Sequence, residues 1–148
     1  RSIAEMEILA EEKIAKISTD GCGAPLFLMT MRGLSRAFYN LATSTDSVHK
    51  KVIAACLANP EMIAGIGRGD TELMKLVPGL FMKIGAEGVQ SAFLPDGRTV
   101  VFKVSDGSLR PFRVLVHAGL KHLGIDSPYE AENVLGGDRV IGTIRATF

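Results

Sequence analysis

Tryptophan is absent, and two tyrosines and seven phenylalanines are the only aromatic side chains among 148 residues. That scarcity removes the aromatic platforms on which single-stranded nucleic acids stack. Charge of one sign is lacking too: 17 Lys and Arg stand against 16 Asp and Glu, a formal net charge of +1. No cationic field gathers phosphates, and nucleic acid is not an expected partner. Apolar runs are short, Pro25 to Met29 being among the longest, whereas a membrane-spanning helix needs roughly 20 such residues. No membrane span is expected. The first residues, Arg1 to Lys16, mix acidic and apolar side chains without a basic segment leading into an apolar one, so no secretory signal is read there. A cytoplasmic protein is the expectation. Only two cysteines occur, Cys22 and Cys56, in no CxxC pair, which excludes a disulfide scaffold and favours reduced thiols.

What is present suits one globular domain over residues 1–148, with 47% hydrophobic and 22% charged residues. Apolar positions Ile3, Met6, Ala10, Ile14 and Ile17 recur at three- and four-residue steps and predict a first amphipathic helix. Turn residues then crowd Ser18 to Gly23, and with Pro25 they predict an irregular loop. Thr30 is placed to cap a second helix with Leu34, Ala37, Phe38, Leu41 and Ala42 facing the core. Asp46 or Thr45 would cap a third, carrying Val48, Val52, Ile53, Cys56 and Leu57, which ends near Asn59 ahead of Pro60. Asp70 would cap a short fourth helix with Leu73, Met74 and Val77.

Beyond Pro78-Gly79 the period becomes extended. Leu80 to Ile84, Val89 to Leu94 and Thr99 to Val104 read as strands, and Pro95-Asp96-Gly97-Arg98 reads as the turn of a hairpin. Ser108 would cap a long helix whose face is Phe112, Leu115, Val116, Gly119, Leu120 and Leu123, stopped by Gly124. Arg139 to Phe148 reads as a last strand, and Glu130 and Glu132 as solvated loop acids. Helices followed by a strand meander predict an α+β fold, an antiparallel β-sheet covered by α-helices.

Four segments could carry chemistry. In Asp20-Gly21-Cys22-Gly23-Ala24-Pro25, glycines hold an acid and a thiol two residues apart; a thiolate is a good zinc ligand and a nearby carboxylate can support it. A tight turn around a small buried cysteine would leave the same residues. Lys83-Ile84-Gly85-Ala86-Glu87-Gly88 sets a lysine on a strand two residues ahead of a glycine, similar to the K-T-G strand of penicillin-recognising enzymes, with Ile84 where a hydroxyl residue is usual. A surface lysine on an edge strand is the alternative. Gly65-Ile66-Gly67-Arg68-Gly69-Asp70 has the look of a phosphate loop, but Asp70 would occupy the positive helix end and no strand precedes the glycines. It reads better as a loop whose Arg68 grips a carboxylate or pairs with Asp70. Ser47-Val48-His49-Lys50 has Ser-x-x-Lys spacing, yet nine serines and eight lysines yield about half such a match by chance. His49, His117 and His122 stand apart and suggest helical surface positions.

In order along the chain, Asp20 to Pro25, Ala64 to Arg68 with Asp70, Lys83 to Gly88, Lys103-Val104-Ser105-Asp106-Gly107 and the tail residues Asn133, Gly136, Val140 and Gly142 resemble the thermolabile type II L-asparaginase family. The resemblance runs over essentially the whole chain and corresponds to the C-terminal half of the family's pattern. It implies a fold like that of serine β-lactamases and penicillin-binding proteins, and hydrolysis of L-asparagine to L-aspartate and ammonia by a serine nucleophile that a lysine activates. It implies that Lys83 is the catalytic lysine, that Arg68, Gly85, Ala86 and Glu87 contact substrate, and that Cys22 binds zinc with Asp20 in support. The family's Ser-x-x-Lys and its further cysteine and lysine ligands do not occur ahead of Asp20. The missing N-terminal half is therefore an expected partner, activity of this piece alone is expected to be negligible, and an apolar face should stand uncovered where that half packs. A homo-oligomer is a further expectation. Lys83 and Cys22 should converge on one partly dry cleft, since a lysine acts as a base near neutral pH only when burial or charge lowers its pKa. A non-catalytic interaction module and a penicillin-recognising acyltransferase relative are the competing readings.

Overall fold

The sequence switches from helical to extended patterning at Pro78-Gly79, and the chain follows. A computed structural model describes residues 2–128 and 131–147. Arg1, Glu130 and Phe148 lie outside the described residues, so the reading of Glu130 as a loop acid is not addressed.

Four helices precede the main sheet after an N-terminal helix and hairpin. The first helix, α1 (Ser2–Ala10), ends well before Ile17, because Glu11 adopts a left-handed φ of 54°. Ile14 and Ile17 thus leave the helix expected to hold them. Lys16–Thr19 forms strand β1, which pairs antiparallel with β2 (Pro25–Leu28). The segment read as irregular is a hairpin: Lys16 lies opposite Leu28 and Thr19 opposite Pro25.

Helix α2 (Met31–Ala42) starts as the sequence indicates, with Thr30 Oγ1 accepting from the Gly33 amide at 2.9 Å. Asp46 caps α3 (Ser47–Ala58) by accepting from the amides of Val48 and His49. Of its expected core face, Ile53, Cys56 and Leu57 pack on the core, whereas Val48 and Val52 are exposed. The chain turns at Asn59 into a short α4 (Pro60–Ala64), the proline sitting in a first helical turn where no amide is required. In α5 (Gly69–Leu76) the N-cap is Arg68, and Asp70 lies inside the first turn, buried. The expected Asp70 cap is corrected: burial turned the carboxylate to another use.

Strands β3 (Phe81–Gly85), β4 (Val89–Phe93) and β5 (Thr99–Lys103) form one antiparallel sheet in that order, with β3 at an edge. Phe81 faces Phe93, Lys83 faces Ser91, and Val89 faces Lys103. Side chains alternate between faces. On one, Phe38 of α2 meets Phe81 and Phe93, whose rings stack with centroids 4.7 Å apart; such a cluster adds ~0.5–1.5 kcal/mol per pair beyond burial. The other face receives α6 (Phe112–His122), where Gly119 lets the helix approach Val100: a Cβ there would lie 3.2 Å from a Val100 methyl. Pro111, rather than Ser108, precedes α6; the Ser108 hydroxyl accepts from the Arg110 amide in the turn before it. Gly124 ends the helix with φ 76°, as its position suggests.

The last strand, β7 (Arg139–Arg145), pairs with β6 (Ala131–Gly136) in a separate ribbon with an irregularity at Val134/Leu135. Glu132 therefore sits on a strand and not in a loop. The fold is α+β with antiparallel sheets, and no helix among the described residues is long and apolar enough to cross a membrane.

Candidate functional site

The Asp20 loop closes the β1–β2 hairpin. Asp20 Oδ1 accepts from the Cys22 amide, the Cys22 thiol and the Ala24 amide, each at 3.0 Å. The thiol hydrogen bond, then those amides, hold the Asp20 carboxyl below its usual range. Cys22 is exposed, not the small buried cysteine of a plain turn. The loop does present acid and thiol together.

A different acid works at the edge of the main sheet. Asp70 Oδ2 accepts from the Ile84 amide at 2.9 Å and from Gln90 Nε2 at 3.3 Å. The carbonyl of the same residue, Ile84, accepts from the ammonium of Lys83. Thus both main-chain groups of Ile84 on the outer side of β3 are satisfied by charged side chains, which deals with the unpaired row that an edge strand presents. Burial pushes the Asp70 carboxyl above its ordinary range, opposed by the Gln90 and Ile84 hydrogen bonds and by the charges of Lys83 and Arg68. Gln90 is 1% exposed, donates also to the Ser91 carbonyl, and leaves its Oε1 buried without a partner. Lys83 itself is exposed, not sunk in a dry cleft.

Three hollows surround the end of β3. One of about 250 Å³ lies against Ile84 between α5 and α6, lined by Arg68, Asp70, Leu73, Phe112, Arg113 and Val116 among others. It is continued by a hollow of about 270 Å³ at the β3–β4 turn that shares Ile84 and Leu109 and adds Gly85, Ala86 and Glu87. Across the strand is an apolar hollow of about 700 Å³, bounded by the β1–β2 hairpin, the start of α2, and Gly85, Ala86, Val89 and Lys103. Gly85 and Ala86 therefore form the wall between two hollows. Of the residues expected to contact substrate, Arg68 lines the first hollow and Gly85, Ala86 and Glu87 line the second. Lys83 and Cys22 line none of these three hollows. Ser18 and Pro25, which flank the Asp20 loop, do reach the apolar hollow.

Sequence reading took Asp70 for a helix cap or a partner of Arg68, and singled out neither Gln90 nor Arg113. Gln90 had a signal: it is a lone polar residue on the strand face shared by Ala92 and Leu94, both buried. Two of the histidines join neighbouring segments. His49 bonds Ser44 Oγ at 2.8 Å and Glu5 at 2.9 Å, joining α1 to α3, and His117 bonds Ser127.

Among the described residues no group of three or more His, Cys, Asp or Glu could hold a metal. Cys22 and Asp20 supply two donors where a structural zinc takes four protein ligands. The residues present do not by themselves fit the ion.

An antiparallel sheet under helices, with an amine and a buried carboxylate on one edge residue, is the frame of an α+β protein. The family model described as L-asparaginase II matches residues 1–143, and the chain belongs to that family. No curated protein matches the chain.

Proposed function

We propose that the chain is the C-terminal part of an amidohydrolase domain that hydrolyses the side-chain amide of L-asparagine to L-aspartate and ammonia. The observation that carries this reading is the edge of β3, where Lys83 holds the Ile84 carbonyl and the next residues, Gly85 and Ala86, wall two hollows. Glycine there leaves the strand backbone open to close approach by a substrate. In the reaction, a serine hydroxyl attacks the amide carbonyl while Lys83 takes its proton. Ammonia leaves with a proton, and water then releases aspartate from the seryl ester.

The serine comes from polypeptide beyond these 148 residues. Among the described residues no serine hydroxyl is hydrogen-bonded to a lysine; Ser91, opposite Lys83, is 3% exposed on the central strand. The segment that carries the nucleophile packs on the apolar hollow beside the hairpin, where Leu26 and Leu28 are 49% and 57% exposed. The completed domain has a serine β-lactamase-like fold. Cys22, with Asp20 in support, would give zinc two donors, and the remaining donors would have to come from the same segment.

The test is ammonia release from L-asparagine by the 148-residue chain alone and by the chain joined to the segment encoded upstream of Arg1. Hydrolysis only by the joined protein supports the reading. Hydrolysis by the chain alone refutes its incompleteness, and none by the joined protein leaves a non-catalytic module of the same family.

A further inference from the structure

The side of α6 turned toward the β6–β7 ribbon takes no part in the proposed reaction. His117 and Lys121 are one helical turn apart on α6 and so share a side of the helix. On the ribbon, Ala131 lies opposite Arg145 and Asn133 opposite Thr143, so alternation puts these four residues on one face. Helix and ribbon meet across a hollow of about 510 Å³ that His117, Lys121, Thr143 and Arg145 line. Among the described residues no carboxylate stands in its wall. The chain as a whole has a formal charge of only +1, and this hollow departs from that balance. The side chains of Lys121 and Arg145 are exposed and have neither a hydrogen bond nor an ion pair among the described residues. His122 lines the hollow too, but already has a partner. His117 is pinned through Nδ1, 3.0 Å from the Ser127 carbonyl, which fixes its ring as part of the wall.

We infer that this hollow binds a phosphate monoester, with Lys121 reaching the phosphate from the helix, Arg145 from the ribbon, and the Thr143 hydroxyl as a further donor. An ammonium offers phosphate a movable point charge, and a guanidinium offers it a planar fork. Both charges are uncompensated among the described residues, so an entering anion displaces no internal partner. Size favours an ester over the bare ion. A volume of about 510 Å³ falls in the roughly 300–1,000 Å³ range of small-molecule sites, and Ala118, Ala131 and Ala146 keep the space open. No Phe, Tyr or Trp among the described residues lines it, so a sugar or polyol phosphate fits better than a nucleotide, whose base stacks on such rings. None of these residues serves the reaction proposed above, and the inference is independent of that reading.

The experiment titrates inorganic phosphate, glycerol 3-phosphate and uncharged glycerol into the joined protein by calorimetry. Saturable binding of both phosphates, glycerol 3-phosphate the tighter, and no binding of glycerol are expected. Lys121→Gln and Arg145→Gln should each weaken glycerol 3-phosphate about fivefold. Lys50→Gln, at an exposed position on α3, should leave it unchanged. A second measurement needs no variant: acetic anhydride with peptide mass mapping should acetylate Lys121 more slowly once glycerol 3-phosphate is present, and Lys50 at the same rate as before. No saturable binding, unchanged affinity in Lys121→Gln and Arg145→Gln, or an equal loss in Lys50→Gln overturns the inference. Equal protection of Lys50 and Lys121 overturns it as well, and so does inorganic phosphate binding as tightly as the ester.

Discussion

Asp70 and Lys83 grip one residue from two directions: the carboxylate takes the Ile84 amide at 2.9 Å and the ammonium donates to the Ile84 carbonyl. An acid from α5 and a base from β3 thereby fix the edge on which the proposed chemistry depends. Neither charge is spare. Asp70→Ala leaves the part-buried Ile84 amide without its acceptor and should cost about 1–3 kcal/mol in urea unfolding. Asp70→Asn keeps an oxygen for that amide and should cost much less.

The pH dependence of that pair has a definite sign. Burial raises the Asp70 pKa above its ordinary value of 3.8, so the folded chain holds this proton more tightly than the unfolded one. Asp70's contribution is fullest below the unfolded value and is lost as pH rises through the raised folded value. Asp46 behaves oppositely: the Val48 amide bond, then that of His49, lowers its pKa, and its contribution is lost as pH falls through the folded value. Thermal unfolding of Asp70→Asn against the parent should show the parent losing ground as pH increases across the acid range. A difference independent of pH would contradict the assignment.

Helices with caps were legible because their signals are local. Thr30 and Asp46 each have a side-chain oxygen within reach of the next turn's amides, and Asn59 precedes a proline. The three-strand meander was legible from alternation and the Pro95–Arg98 turn. The hairpin β1–β2 was not, because its strands are four residues long and exposed on both sides, so no burial period marks them. Strand β6 was hidden for the same reason: most of Ala131–Gly136 is exposed. Arg68, Gly85, Ala86 and Glu87 were singled out by motif; Arg68 lines one hollow and the other three line a second, the two sharing Ile84 and Leu109. Asp70 was read as a cap because a helix start and a buried network call for the same residue type. Only packing against Ile84 and Gln90, 14 and 20 residues away, separates the two.

Gly33 should behave against helix propensity. Alanine normally gains ~0.5–1 kcal/mol over glycine inside a helix, but a Cβ here would lie 2.3 Å from Glu12 Cδ. Glu12 would have to leave the Thr30 amide and hydroxyl, at 2.6 and 2.7 Å. Gly33→Ala should lower Tm in the parent and raise it in a Glu12→Ala background. Equal effects in both would show that the two sites are not coupled.

Gly88 holds the turn behind Gly85–Glu87. Its φ is 64°, and an added Cβ would stand 3.0 Å from Gly107 Cα, a backbone atom. Gly88→Ala should cost at least about 1–2 kcal/mol from left-handed geometry alone and should shift the NMR resonances of Ala86 and Glu87. Unchanged stability would mean that the turn is not packed as described.

Cys22 is exposed and Cys56 half-buried against the core. Iodoacetamide with peptide mass mapping should modify Cys22 first. Zinc should slow that modification in the joined protein and leave it unchanged in the 148-residue chain, which offers the ion only two donors. Protection in both would show that this chain completes a zinc site by itself.

The central claim is that the amine of Lys83 acts in amide hydrolysis. It is tested most directly by the ammonia release rate from L-asparagine in the joined protein, comparing Lys83→Met with the parent. Loss of at least about a hundredfold in kcat, with the folded state retained by circular dichroism, is the predicted result; a Lys83→Met protein releasing ammonia at the parental rate would contradict it.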